Sequence, residues 1–298
     1  MEDSYGKEIL CIDKNSAEYP KRMKECPHMP EKIYVLGSLP RDDRPSAAIV
    51  GARMCSPYGR MQSFRYAREL SRAGVQVISG MAYGIDTEAH LGALEGNAHT
   101  FAVLGCGADV CYPARNRRLY ERIQRTGGGI LSEYPQGTPP DSWHFPARNR
   151  IISALSDVIL VVEAKEKSGA LITAQHAAEQ GKSVYALPGS VQEEVSLGCH
   201  KLIYDGAGIA YSPKVLLEEW GISGSEGEKK EKKNLVLASD LKLVYSCLDL
   251  RPKNLESIIS ETGLSPKKIS CLIMELELMG LARETGRHYY VKGEGHCR

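Results

Sequence analysis

The sequence predicts an α/β protein: an extended Rossmann-like parallel-sheet domain followed by a small winged helix-turn-helix domain. Three observations predict it. Short apolar runs ending in glycine or polar residues alternate with helical stretches of 9 to 16 residues through most of the chain. One run, Val158–Glu163 (VILVVE), is continuously β-branched or aliphatic up to its Glu, as in a strand buried on both faces. A small-and-charged tract, Ser223–Lys233 (SGSEGEKKEKK), then separates this region from a tail with a different periodicity.

Taken in order, Ala47–Ala52 reads as the first strand and Tyr58–Ala73 as a helix. Val75–Ser79 is a strand, Thr87–Glu95 a helix, and Thr100–Leu104 a strand closed by Gly105-Cys106-Gly107. Asn116–Arg125 suits a helix, Gly129–Ser132 a short strand, and residues 133–155 a polar loop. Val158–Glu163, Ala170–Glu179 and Ser183–Leu187 complete a strand, helix and strand. Such alternation requires right-handed crossovers and a parallel sheet. In the tail, Leu241–Leu248 and Asn254–Thr262 read as helices. Ser265-Pro266 caps a third helix, whose apolar face is Ile269, Leu272, Ile273, Leu276 and Met279. A hairpin turning at Thr285-Gly286 follows. The expected organisation is a lead-in segment 1–44, a Rossmann-like domain 45–222, a linker 223–233 and a winged helix 234–298.

Composition excludes several classes. The 298 residues carry 38 Lys and Arg against 37 Asp and Glu, so no generally basic surface announces a nucleic-acid partner. No apolar run approaches the roughly 18 residues of a membrane helix, and no secretory signal opens the chain, so a cytoplasmic protein without membrane contact is expected. Nine cysteines are spread along the chain with no C-x-x-C and no zinc-ligand spacing. Neither metal nor cofactor is expected. Cys106 and Cys111 flank a turn and read either as a redox pair or as two packed free thiols.

The strand ends are rich in glycine: Gly51-Ala52-Arg53, Ser79-Gly80 through Gly84-Ile85-Asp86, and Gly105-Cys106-Gly107. Tight strand-to-helix turns need glycine for steric reasons alone. Three such loops on one sheet edge, each leading to a helix N-terminus, also make anion sites suited to phosphate. The usual nucleotide fingerprints are absent. Gly105-x-Gly107 lacks the third glycine of the dinucleotide motif. Gly181-Lys182-Ser183 resembles the end of a P-loop, but His176 stands where its first glycine would be. No G-x-S-x-G or H-E-x-x-H occurs.

Within 133–155, Trp143, His144 and Phe145 precede Arg148-Asn149-Arg150, in a chain with only two Trp and three Phe. Flat rings beside guanidinium groups suit single-stranded nucleic acid, stacking being worth roughly 1–3 kcal/mol per base. The plainer reading has the aromatics covering the sheet edge and the arginines paired with Glu133 or Glu163. Arg115, Arg117, Arg118, Arg122 and Arg125 form a further basic run, either a solvated helix face or an extension of a basic track.

Jointly, these motifs carry a resemblance. The blocks are Gly51-x-Arg53-x-x-Ser56-x-Tyr58-Gly59, Ser79-Gly80-x-Ala82-x-Gly84-Ile85-Asp86, Val103-Leu104-Gly105-x-Gly107-x-Asp109-x-x-Tyr112-Pro113 and Ser132-Glu133-Tyr134-Pro135. Phe145-Pro146-x-Arg148-Asn149-Arg150-Ile151-Ile152, Ser168-Gly169-Ala170-Leu171-Ile172-Thr173-Ala174 and Pro188-Gly189 continue the series. In this order, across roughly residues 19–220, they resemble the DprA (Smf) DNA-processing family. The resemblance implies a non-enzymatic homodimer that binds single-stranded DNA and loads the RecA recombinase during natural transformation.

It implies that Arg53 holds backbone phosphate, Phe145 meets a base, Arg148 and Arg150 line or brace the pocket, and Lys182 sits at the opposite rim. Gly51, Gly80 and Gly84 would admit phosphate to the backbone; Ser56 belongs to the same set, and Asn149 either braces the loop or touches DNA. His200, Leu202, Ile203 and Ile209 are the implied subunit contact, although His200 replaces the Asn of the family's G-x-N-x-L-I. Only about 45 residues precede the sheet, too few for the helical SAM-like domain of many relatives. The tail holds nine Lys/Arg against eight Asp/Glu, and its third helix carries only Lys267 and Lys268 before Glu275 and Glu277, so it is expected to contact protein, or DNA only weakly. A nucleotide-processing enzyme of phosphoribohydrolase type is the alternative, but Pro188-Gly189-Ser190 lacks the rest of that class's Pro-Gly-Gly-x-Gly-Thr loop. A sequence-specific transcription factor would rest on the winged helix alone.

Overall fold

A computed structural model describes residues 8–222, 239–249 and 252–293 of the chain. It divides into two compact units, 1–225 and 226–298. The predicted linker 223–233 lies outside the described residues.

In the first unit the order is β1 (Leu10–Asp13), α1 (Lys21–Lys24), β2 (Lys32–Gly37), β3 (Ser46–Val50), α2 (Pro57–Arg72), β4 (Gln76–Ser79), α3 (Ile85–Ala93) and β5 (Thr100–Leu104). Then come α4 (Arg117–Arg125), β6 (Gly129–Ser132), α5 (His144–Ala154), β7 (Val158–Val161), α6 (Gly169–Glu179), β8 (Ser183–Ala186), α7 (Leu197–Tyr204), β9 (Gly208–Ile209) and α8 (Pro213–Glu218). The strands form one sheet in the order β1-β2-β6-β5-β4-β3-β7-β8-β9. From β6 to β9 every pairing is parallel. The direction of winding reverses between β3 and β7, the topological switch point at which open α/β sheets bind ligands.

Residue alternation on β3 shows why both faces must be covered. Ala47 and Ile49 enter one core with α2, α3 and α8, whereas Ala48 and Val50 enter another with α1, α5 and α6. The lead-in expected over 1–44 is part of this same sheet. β1 and β2 pair antiparallel with each other and β2 with β6, while Arg22 Nε donates to Asp157 at 2.9 Å beside β7. The polar loop expected over 133–155 is helical from His144 onward, because Ile151, Ile152 and Ala154 bury against the sheet at helical spacing. The Val158–Glu163 strand ends at Val161, and Glu163 turns instead toward the start of α2.

The second unit contains α9 (Ser239–Cys247), β10 (Lys253–Asn254), α10 (Leu255–Thr262), α11 (Pro266–Leu278), β11 (Ala282–Gly286) and β12 (Tyr289–Lys292). Its core joins Leu241, Val244, Ile258, Ile269, Ile273 and Leu276. Gly286 pairs with Tyr289, so the hairpin turns at Arg287-His288 rather than at Thr285-Gly286. Met279, expected on the buried face of α11, is exposed beyond the helix end.

Candidate nucleic-acid interface

A cleft of about 510 Å³ opens at the carboxyl ends of β3 and β7. Gly51 and Arg53 after β3, Ala82 and Asp86 after β4, and Tyr112 after β5 contribute to it. Phe145, Pro146, Arg148 and Asn149 come from α5, and Ser168, Gly169 and Thr173 from the start of α6. A smaller recess of about 90 Å³, lined by Gly80, Tyr83, Gly105 and Tyr112 among others, continues it.

Arg53 is exposed and has no carboxylate within ion-pair distance among the described residues. Its guanidinium carbon lies 5.3 Å from the centre of the Phe145 ring, and that ring lies 5.5 Å from Tyr112. On the other wall, Ser168 caps α6 by accepting the Ala170 N–H, so a helix N-terminus faces the cleft. One free cation, a pair of tilted rings and a helix N-terminus suit a ligand that alternates anionic groups with flat heterocycles.

Of the two roles expected for Arg148, lining or bracing, its guanidinium takes the bracing one. It is only 4% exposed, and its guanidinium donates to the Gly80 carbonyl at 2.9 Å and to the Val103 carbonyl, clamping the ends of β4 and β5. Beside it Asp86 accepts N–H groups from Gly80 at 3.2 Å and Ala82 at 3.3 Å. Burial lowers the Arg148 pKa to about 10, against the opposing pull of Asp86, and it stays protonated at neutral pH. Burial likewise raises the Asp86 carboxyl, against the attraction of Arg148. Gly80 is glycine because of this clamp: a Cβ there would lie 2.6 Å from the Arg148 guanidinium. Gly84 has φ +75° and its Cβ would sit 2.4 Å from the Ala52 carbonyl, while a Cβ on Gly51 would meet Ile85 at 2.6 Å. All three glycines, expected to admit phosphate, are accounted for by protein packing.

Three further expectations change, those for Ser56, Arg150 and Lys182, and Asn149 takes the bracing one of its two expected roles. Ser56 donates its hydroxyl to Glu163 and accepts the Gly59 N–H, capping α2 with its polar capacity used. Arg150 forks onto Glu133 at 2.6 and 3.1 Å, so its charge is paired outside the cleft. Asn149 lines the cleft but bridges α5 to α6, accepting from Arg148 Nε at 3.2 Å and donating to the Gly169 carbonyl at 3.1 Å. Lys182 directly precedes β8, at the amino edge of the sheet, and lies near Cys26, whose thiol burial raises against the opposing charge of Lys182. It therefore sits at the edge opposite the cleft. Cys106 and Cys111 are buried free thiols. Each donates to a carbonyl of its own loop, Val110 and Pro113, and burial pushes the Cys106 thiol up to about 11.

Asp86 and Tyr112 stand in sequence motifs that by themselves assign them no role. Their positions in the cleft follow from where the ends of β4 and β5 converge. His90 gave no sequence signal at all: it is buried in α3 with Nδ1 2.8 Å from Thr100 Oγ1 and Nε2 unpartnered among the described residues.

Fold and cleft together define an open doubly wound α/β protein with a cleft at its switch point. The chain belongs to the family of DNA recombination-mediator protein A, which it matches over residues 10–221. Protein Smf of Synechocystis is 33% identical over 97% of this chain and 82% of that protein. DNA processing protein DprA of Streptococcus pneumoniae is 42% identical over 68% of this chain and 71% of its own length. The crystal structure of the S. pneumoniae protein superposes with a TM-score of 0.66 at 38% identity, covering 72% of this chain and 75% of that one. A structure of DNA processing protein A from Helicobacter pylori, described for its single-stranded DNA binding mode, gives 0.64 at 30% identity over 72% and 96%. The family is one of DNA-binding recombination mediators, not of enzymes. Among the described residues no helix is long and apolar enough to cross a membrane.

Proposed function

We propose that this chain binds single-stranded DNA in the switch-point cleft and delivers it to the RecA recombinase during natural transformation, acting as a homodimer. The observation that carries the DNA reading is the exposed Arg53 guanidinium, ion-paired to no carboxylate among the described residues, set over the Phe145 ring in the cleft that the start of α6 also lines. A base stacks on Phe145 and Tyr112, and adjacent phosphates lie against Arg53 and the α6 N-terminus. Arg148, Asn149 and Asp86 hold these groups in position. The single-stranded DNA binding mode of the H. pylori relative supports the same ligand. Membership of the DNA recombination-mediator protein A family supports the recombination role.

The homodimer reading rests on the free edge of the sheet. Among the described residues β9 pairs with β8 alone, and Tyr204, Ile209 and Tyr211 beside it are exposed. Leu202 and Ile203 pack inward against the core, and His200 lies 3.2 Å from the Gly189 carbonyl, so of the four expected contact residues Ile209 is the one facing outward. For the tail we favour a winged helix that contacts protein: along the middle of the exposed side of α11, Lys267 is followed by Cys271, Met274 and Leu278, flanked by Glu275 and Glu277, where a DNA-reading helix would carry basic or amide side chains.

A salt-dependent titration with oligo-dT and a matching duplex tests the central reading. Single-strand preference is expected, with an affinity that falls steeply with salt. Arg53→Ala and Phe145→Ala should each weaken oligo-dT binding at least tenfold, about 1.4 kcal/mol or more. Equal affinity for duplex, or unaltered binding by Arg53→Ala, would overturn the assignment. Turnover of a nucleotide by the purified protein would favour the phosphoribohydrolase alternative. Assembly of RecA on single strands, with and without this protein, tests the delivery step.

A further inference from the structure

The five arginines between residues 115 and 125 divide into two sets. Arg122 is paired with Glu95 at 3.0 Å and Arg125 with Glu121 at 3.5 Å. Both lie toward the amino edge of the sheet, since α4 runs back from the end of β5 to the start of β6. Arg115, Arg117 and Arg118 lie at the opposite end of that path, on the carboxyl edge where the cleft opens. All three are exposed, and among the described residues none has a carboxylate within 4 Å. Neutralisation is thus confined to the end of α4 remote from the cleft.

Two further observations argue against an incidental solvated face. Arg117 and Arg118 occupy the first turn of α4, which has no acidic residue there. Cations at a helix N-terminus oppose the helix dipole, so this placement costs stability instead of contributing it. Second, the turn is held in place: Asn116 Nδ2 donates to the Met81 carbonyl and to Thr87 Oγ1, each at 2.9 Å, tying it to the loop after β4 and to the first turn of α3. Tyr112, which lines both the cleft and its smaller recess, lies three residues before Arg115 and packs its ring on Phe145. Ring and guanidinium groups therefore continue outward from the cleft along one rigid segment.

We infer that Arg115, Arg117 and Arg118 form a second phosphate track, entered past Tyr112, that takes the nucleotides flanking those in the cleft. This rests on the cleft reading, and extends the site from a pocket to a path. The track sets the length of strand engaged and much of the salt dependence; the cleft sets the preference for unpaired bases.

The test compares wild type, Arg53→Ala and the triple variant R115A/R117A/R118A on oligo-dT of about 6 and about 20 nucleotides. Three single-strand phosphate contacts contribute a salt slope of about 2, equivalent to about a hundredfold in affinity at 0.1 M salt. The triple variant should bind the short strand within about twofold of wild type and lose about a hundredfold on the long one, with the slope lowered by about 2. A triple Arg→Lys variant should recover most of the loss, since charge is what the track supplies. Unchanged long-strand affinity in the triple variant refutes the track. Equal losses on both lengths do so too, because they would put these arginines in the cleft. Arg53→Ala, by contrast, should weaken both lengths. If it weakens neither, the cleft reading fails, an outcome distinct from failure of the track. Removing cations from the α4 N-terminus should leave Tm unchanged or raise it, so misfolding would show separately as a lower Tm.

Discussion

Arg53 and Arg148 are both conspicuous in the sequence and both line the cleft, yet the structure predicts opposite consequences for losing them. Consider Arg148→Ala. The guanidinium is 4% exposed, satisfies the Gly80 and Val103 carbonyls, and is the main favourable charge for buried Asp86. Its removal leaves the Gly80 and Val103 carbonyls without this donor and Asp86 without its nearest favourable charge; stranded buried polar groups cost about 1–3 kcal/mol each, so about 4 kcal/mol is expected here. For a unit of this size each kcal/mol shifts Tm by about 2–4 °C, so a fall of about 8–16 °C is expected. Lysine should not rescue it, because one ammonium cannot reproduce the guanidinium fork across two strand ends. The assay is thermal and urea unfolding, with oligo-dT binding measured well below the lowered Tm. Arg53→Ala should leave Tm within about 1 °C, since that side chain is exposed and unpaired. If Arg148→Ala unfolds like wild type and loses DNA as Arg53→Ala does, its guanidinium contacts ligand and the clamp argument is wrong.

Two other predictions follow from groups outside the cleft. Burial lowers the His90 pKa from 6.5 to about 3, so below pH 6.5 the unfolded chain binds the proton more tightly and stability falls as pH drops toward 3. At pH 5 this amounts to about 2 kcal/mol, and urea midpoints at pH 7.5 and pH 5 should converge in His90→Gln relative to wild type; an unchanged gap would dismiss it. Ile209→Asp should convert a dimer to a monomer in light scattering without lowering Tm, because Ile209 faces outward on the edge strand; a dimer that persists would move the contact elsewhere.

The parallel sheet was legible in the sequence because each strand is a local statement. Thr100–Leu104 and Gly129–Ser132 have the same bounds in pattern and structure. β1 and β2 were not legible as members of the sheet, since an antiparallel edge added to β6 leaves no crossover helix to announce it. Helix α5 was missed for a related reason. Its first turn, His144-Phe145-Pro146, carries the residues of a functional loop, and its apolar positions begin only at Ile151.

For the cleft, residue type and loop position were enough to bring Gly51, Arg53, Phe145, Arg148 and Asn149 to one edge, because strand ends in a parallel sheet must share an edge. Which arginine is free was decided by partners far away in the chain. Arg148 is clamped by carbonyls 68 and 45 residues away, and Arg150 is neutralised by Glu133 17 residues away. Ser56 is occupied by Glu163 107 residues away. Composition counts these charges and periodicity orders them, but neither encodes long-range pairing, which depends on the path of the chain through the sheet. The nearly balanced count of 38 against 37 was therefore silent on DNA binding. Among the described residues tertiary structure leaves Arg53, Arg115, Arg117 and Arg118 without an ion pair on the carboxyl edge while pairing Arg122, Arg125 and Arg150 elsewhere, and it is this remainder of charge that a phosphate backbone would meet.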